Sequence, residues 1–130
     1  MEILVSNIAG PTPVTVFHLK GDLTSENPLE AQTKNAFEEG ARNMVLDLTN
    51  VSYISSAGLR AIHTIYMLLR NADPEDSEAS ARGIARGTYK SPHLKLAKPS
   101  KNAMKALSMA GYDMFLDIHD SEKSAVASFA

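Results

Sequence analysis

Apolar residues along this chain recur with two spacings, and the shorter spacing predicts strands. In residues 13–20, Val14 and Val16 would lie on one face of a strand and Phe17 and Leu19 on the other. This period of two is typical of a β-strand. Residues 44–48 are almost all apolar, which indicates a buried strand. The predicted strands are 2–8, 13–20, 44–48, 93–98 and 114–118. A short Gly/Pro stretch separates the first two, so we expect them to form a hairpin.

The longer spacing, with apolar residues three or four apart, predicts helices between these strands. Leu59, Ile62 and Tyr66 show it most clearly, in a helix that begins at Ser55 or Ser56. The predicted helices are 26–39, 55 or 56 to 70, 102–110 and 121–129. The resulting order is ββαβαβαβα. Alternating helices and strands imply parallel crossovers, so we predict an α/β domain with a mixed sheet of four to five strands.

Residues 71–92 break this pattern. Their first half is acidic and rich in small residues, and their second half is basic and contains glycine. Because almost nothing in the segment could anchor a core, the sequence predicts a long, mobile surface loop inserted in one domain that spans residues 1–130.

Composition excludes several classes of function. The formal net charge of −2 provides no global field for nucleic acid or anionic membrane. The absence of cysteine excludes disulfides, thiolate catalysis and cysteine-based zinc sites. No apolar run approaches the ~18 residues that span a bilayer, so we expect a cytoplasmic location. The phosphate-binding pattern Gly-x-x-x-x-Gly-Lys does not occur, so any nucleotide should belong to a partner.

The most informative residues follow the buried strand. Ser55 and Ser56 are placed at the N-terminus of a predicted helix, where backbone N–H groups lack partners and the helix dipole favours negative charge. One serine could simply be an N-cap. Alternatively, Ala57 and Gly58 leave the first turn open to an approaching active site, and a serine there could accept a phosphate.

Residues 45–60 resemble the signature of STAS domains of the anti-sigma factor antagonist type. That signature is a hydrophobic strand with one aspartate, a short turn, an aromatic residue and then Asp-Ser-(Ser/Thr/Ala)-Gly-Leu. Residues 21–23, Gly-Asp-Leu, also match the Gly-Glu/Asp-Leu of the family, and the predicted element order agrees along the whole chain. The resemblance implies the STAS fold, with helices mainly on one face of the sheet.

The resemblance also implies a mechanism without catalysis or cofactor. The phosphorylated serine of the family corresponds to Ser56. A GHKL-type kinase that is also the anti-sigma factor modifies this serine, and a PPM-type phosphatase reverses the change. The unmodified domain binds the kinase and frees the sigma factor, and we expect it to act as a monomer or weak dimer. By the same resemblance, the partner-binding residues are Asp22, Ser55, Ser56, Ala57, Gly58, Leu59 and Arg60.

Three positions differ from the residues that are common in the family. Ser55 stands where many members have aspartate, which makes it an alternative phosphate acceptor. Ala57 and Arg60 replace residues that are often Ser or Thr and Gly. The competing hypothesis is a STAS scaffold that binds a partner without being phosphorylated, as in transporter-associated or stressosome-like members.

Other constellations are weaker. Asp22 and Asp47 could approach the serines, but we expect them to be structural or docking carboxylates. The four histidines lack the spacing of metal ligands, so no metal site is predicted. Met104, Met109 and Met114 are expected to fill the core. A remote alternative is a small serine hydrolase that uses Ser56 with His119 and either Asp113 or Asp117.

Overall fold

Five strands form one sheet in the order in which they occur along the chain. The computed structural model describes residues 1–129, apart from the side chain of Ala85. The strands are β1 Glu2–Ile8, β2 Val14–Lys20, β3 Met44–Asn50, β4 Leu94–Ala97 and β5 Asp117–His119. The helices are α1 Leu29–Glu38, α2 Ser56–Asn71, α3 Pro74–Arg86, α4 Lys101–Met109 and α5 Glu122–Ala127, with a 3₁₀ turn at Tyr112–Met114.

The pairing of the strands confirms the mixed sheet. β1 and β2 pair antiparallel as the predicted hairpin, and β2, β3, β4 and β5 follow in parallel. The element order is also confirmed, with α3 added between α2 and β4. No helix within residues 1–129 has the length and apolar content needed to cross a membrane.

The sheet has two unequal cores because alternate side chains of each strand point to opposite faces. On the larger face, Phe17, Leu46 and Leu96 pack beneath α1, α2 and α4. On the other, Val16 and Val45 pack against α5, the one element that covers this side within the described residues. We call the second side the α5 face. The prediction of helices mainly on one face is confirmed.

Residues 71–92 differ from the prediction: a helix occupies most of the segment that was predicted to be a loop. Asp73 caps α3 by accepting a hydrogen bond from the N–H of Glu75 at 3.1 Å, Pro74 occupies its first position, and Gly87 ends it in the left-handed region. The Asp73 carboxylate also lies 2.7 Å from Nε2 of His93, the residue just before β4. This hydrogen bond from His93 is the largest cause that holds the pKa of Asp73 below its usual value.

A buried polar pair attaches α3 to the rest of the domain. The hydroxyl of Tyr89 donates to Oδ1 of Asp76 at 2.5 Å, and both residues are buried. Burial, followed by the neighbouring Asp76, raises the pKa of Tyr89, so its hydroxyl stays protonated. Gly83 packs so closely that a Cβ there would lie 2.6 Å from Cβ of Tyr89. The prediction of a loop was wrong because this attachment uses small and polar residues instead of an apolar stripe.

Two smaller predictions were also wrong. Met114 lies in the 3₁₀ turn instead of a strand, and β5 begins at Asp117. Met109 and Met114 are 79% and 63% exposed, so they do not fill the core. An apolar side chain is buried only when its element turns it towards the core. The 3₁₀ turn at Tyr112–Met114 leaves Met114 exposed, and the spacing of apolar residues does not indicate this turn.

Tyr89→Phe should lower the free energy of unfolding by about 1–3 kcal/mol, because the buried carboxylate of Asp76 loses the donor that it has and water cannot replace it. Urea denaturation measures this loss. Tyr53→Phe is the matched control, since Tyr53 is 53% exposed and its hydroxyl can bond to water. Equal stability of the two variants would contradict the docking of α3 through Tyr89.

Candidate functional site

The connection from β3 to α2 is held against the segment that follows β2. The N–H of Leu23 donates to the carbonyl of Tyr53, and the N–H of Ser55 donates to the carbonyl of Leu23, both at 2.9 Å. Leu23 and Ile54 also form an isolated parallel bridge. These bonds bring the Gly-Asp-Leu segment, which contains Asp22, to the start of α2.

The two adjacent serines have different surroundings. Ser55 is the N-cap of α2: its backbone is extended, with φ −80° and ψ 173°, and its Oγ accepts a hydrogen bond from the N–H of Gly58 at 3.1 Å. Ser56 is the first residue of the helix and is exposed. Within residues 1–129 its hydroxyl makes no hydrogen bond to protein. One serine therefore stabilises the helix and the other presents a free hydroxyl to solvent.

Unpaired backbone donors are present in the first turn of α2, which carries Ser56. The N–H groups of Ser56 and Ala57 have no acceptor within the described part of the chain, as is usual for the first turn of a helix. Together with the helix dipole they favour a negative charge at this position. Arg60 is exposed and lies four residues further along α2, so its guanidinium is on the same side of the helix as Ser56.

Gly58 is required by packing and does not face outward. It is buried, and a Cβ on it would lie 2.3 Å from the carbonyl oxygen of Leu23 and 3.0 Å from Cγ2 of Ile54. The idea that Gly58 clears space for an approaching active site is therefore wrong. Its absent side chain instead allows the first turn of α2 to lie directly on the backbone of Leu23.

A tyrosine holds the same turn from another side. The hydroxyl of Tyr112 donates to the carbonyl of Leu59 at 2.9 Å. Burial raises the pKa of Tyr112, although the charge of Arg60 opposes the rise. The side chain of Leu59 is half-buried against the larger core, so this residue contributes to the site mainly through its backbone carbonyl.

The predicted partner-binding residues thus divide into three groups. Asp22, Ser56 and Arg60 are exposed, Ser55, Ala57 and Leu59 are partly buried, and Gly58 is buried. Tyr53, which the list of predicted site residues omitted, exposes 53% of its surface in the turn just before the serines. The aromatic residue of the STAS signature, in the turn just before the serines, was the signal that could have pointed to it.

Two other hypotheses, a pairing of Asp22 with Asp47 and a hydrolase site at Ser56, depend on which face of the sheet the side chains occupy. Asp47 points to the α5 face, where it is bonded to His18 and Thr49, so it does not pair with Asp22 at the serines. His119 also lies on that face, with Nδ1 2.9 Å from Oγ of Ser124 in α5. The Ser-Asp-His arrangement of a hydrolase is therefore not assembled around Ser56.

Comparisons with known proteins agree with this architecture. The model of the STAS domain family matches residues 6–75, more than half of the chain. A putative anti-sigma factor antagonist of Bordetella bronchiseptica, BtrV, is 27% identical over 131 residues, which cover 99% of this chain and 95% of BtrV.

Solved structures share the fold at low sequence identity. An anti-sigma factor antagonist from Mycobacterium paratuberculosis superposes with a TM-score of 0.71 at 15% identity, covering 98% of this chain and 94% of that protein. The phosphorylated form of the Bacillus cell fate determinant SpoIIAA gives a TM-score of 0.59 at 16% identity, covering 98% of this chain and 100% of SpoIIAA.

Ser55→Ala should destabilise the protein by about 1 kcal/mol because the N–H of Gly58 loses its capping acceptor. Ser56→Ala should change stability by less than about 0.5 kcal/mol, since that hydroxyl is exposed. Urea denaturation of the two variants side by side tests the assignment. Equal losses would mean that the two serines do not divide the roles in this way.

Gly58→Ala should cost roughly 1–3 kcal/mol or more, because the added methyl group collides with backbone instead of a movable side chain. Gly10→Ala is the matched control: no atom lies within 4 Å of its added Cβ. Thermal unfolding of both variants makes the comparison. A Gly58→Ala protein as stable as Gly10→Ala would show that α2 does not rest on Leu23.

Proposed function

Since this chain belongs to the STAS domain family, we propose that it is an anti-sigma factor antagonist switched by phosphorylation of Ser56. In the unmodified form it binds an anti-sigma factor that is also a GHKL-type serine kinase, and the sigma factor is released. Phosphorylation of Ser56 ends that binding, and a PPM-type phosphatase restores it. The chain itself is a binding partner and a substrate, not an enzyme, and it acts in the cytoplasm.

The free hydroxyl of Ser56, next to a serine already engaged as a cap, is the observation that carries this proposal. A kinase must bring the γ-phosphate of ATP into line with an attacking oxygen, so the acceptor has to be exposed. Ser56 meets this requirement, whereas phosphorylation of Ser55 would first require breaking its bond to the N–H of Gly58. The proposal therefore places the phosphate on Ser56.

Electrostatics explains how one phosphate could act as a switch. A phosphoserine carries a charge of about −1.5 to −2 at neutral pH, comparable with the formal net charge of −2 of the whole chain. At the first position of α2 this charge is compatible with the fold, because the helix dipole and the unpaired N–H groups favour it. The domain stays folded, but a partner that had packed against a neutral hydroxyl now meets a desolvated charge.

The surroundings of Ser56 suit a close protein contact. Tyr53 offers a half-exposed ring, the kind of side chain that often contributes most to an interface. Asp22 and Arg60 provide one charge of each sign, which can fix the orientation of a partner without attracting proteins of one charge only. Relatives of similar length carry the name of anti-sigma factor antagonist, which supports this choice of partner.

The decisive experiment combines phosphate mapping with a charge substitution. Incubation with the cognate kinase and ATP should add one phosphate, and mass spectrometry should locate it on Ser56 in the natural protein and in Ser55→Ala. Ser56→Asp should bind the kinase at least about 10-fold more weakly, because the partner must bury an added charge. Calorimetry measures the affinities.

Asn35→Asp is the matched control for charge. It adds a carboxylate of the same size at an exposed position near the C-terminal end of α1. This end of the helix leads into β3, so it lies at the opposite end of the strands from Ser56. Its affinity should equal that of the natural protein. Unchanged binding by Ser56→Asp would instead favour a scaffold that is not switched by phosphate, and phosphate on Ser55 would correct the site while keeping the mechanism.

A further inference from the structure

On the α5 face, three side chains bring together one nitrogen and two oxygen atoms that could coordinate a metal ion. Nδ1 of His18, in β2, lies 3.1 Å from Oδ2 of Asp47, in β3, and 3.5 Å from Oε2 of Glu122, the first residue of α5. All three ligand atoms lie within 4.8 Å of one another. We propose that this cluster binds one divalent transition metal ion of the zinc class.

The separations of Nδ1 of His18 from the two carboxylate oxygens are compatible with a shared metal ion as well as with hydrogen bonding. Ligands about 2.0–2.1 Å from a tetrahedral zinc ion lie roughly 3.3–3.4 Å apart, close to the two measured separations. A single N–H on His18 can satisfy only one of the two carboxylates that face it. A divalent ion in place of that proton would neutralise both carboxylates and accept the lone pair of Nδ1.

The groups behind the ligands are already oriented. Oγ of Ser6 lies 3.2 Å from Nε2 of His18, so it can accept that N–H and leave the lone pair of Nδ1 free. Thr49 donates its N–H and its hydroxyl to Oδ1 of Asp47, at 3.0 and 2.6 Å, which directs Oδ2 towards His18. Outer partners of this kind fix the orientation of ligands in protein metal sites.

An open cavity of about 730 Å³ lies beside the cluster and is lined by both Asp47 and Glu122. It gives a metal a way in and leaves room for a water molecule as fourth ligand. Lys98 and Lys123 line the same cavity and oppose the binding of a cation. We therefore expect an affinity well below that of structural zinc sites with four protein ligands.

The choice of metal follows from the ligands. An imidazole nitrogen favours zinc, nickel or copper over magnesium and calcium, which prefer oxygen ligands throughout. A bound ion would join three elements that are distant in sequence. Because Glu122 is its contact with α5, the ion should hold this six-residue helix more firmly on the sheet.

The test is a calorimetric titration of the full chain with Zn²⁺ after treatment with a chelator. We expect one equivalent to bind, with a shift of the His18 imidazole signals in NMR and slower hydrogen exchange in α5. His18→Gln and Glu122→Gln should each weaken binding by about 100-fold or more, and Ser6→Ala by about 10–100-fold. His63→Gln, at an exposed histidine of α2, should leave it unchanged.

Absence of saturable binding would overturn the proposal. So would Zn²⁺ binding that survives His18→Gln and Glu122→Gln, which would indicate an adventitious surface site, or Mg²⁺ binding as tight as that of Zn²⁺. Phosphorylation of Ser56 in the Glu122→Gln protein is measured in parallel. Because Ser56 lies at the start of α2, on the face of the sheet opposite α5, its phosphorylation should be unaffected, so the two proposals succeed or fail independently.

Discussion

The backbone contact between Leu23 and the first turn of α2 determines the geometry of the candidate site. The carbonyl of Leu23 accepts the N–H of Ser55 and lies directly beneath Gly58. This approach is possible only because position 58 has no Cβ. It fixes where α2 begins, and hence which serine becomes the cap and which becomes the first helical residue.

Around this contact the first turn of α2 is held from several directions. Tyr112 donates to the carbonyl of Leu59, and Oγ of Ser100, at the start of α4, donates to the carbonyl of Val51. The turn that carries Ser56 is thus attached to the end of β2, to the end of β3 and to the region around α4. A rigid support of this kind keeps an exposed hydroxyl in one place, as the proposed kinase would require, without needing any contact to the hydroxyl itself.

The sequence predicted well those elements whose stability depends on apolar side chains in a regular spacing. β1 was placed correctly at both ends, and α2 was placed within one residue, because Ile62, Ile65 and Leu69 point to one core. The helix start at Ser55 and Ser56 followed from capping preferences that act locally. The burial of Gly58 could not be predicted in this way, because it depends on Leu23, which lies 35 positions earlier in the chain.

The failures share a physical cause. α3 is attached by the Asp76–Tyr89 pair and by close packing at Gly83, and neither of these produces a periodic apolar pattern. The His18, Asp47 and Glu122 cluster comes from two strands and a helix near the C-terminus, so no short spacing could indicate it. Arrangements that depend on which face of a sheet a side chain occupies become visible only once the strand register is known.

β3 connects the two regions discussed above, yet the contacts favour a charge effect at Ser56 over a change of shape. A conformational switch needs an element with two packings of similar free energy. The start of α2 has the cap by Ser55, the contact with Leu23 and the bond from Tyr112, and a second position of the turn would have to break all three. A phosphate on Ser56 breaks none of them, because the side chain points to solvent. Such a phosphate would therefore act directly on what approaches the surface, and the α5 face would remain as it is.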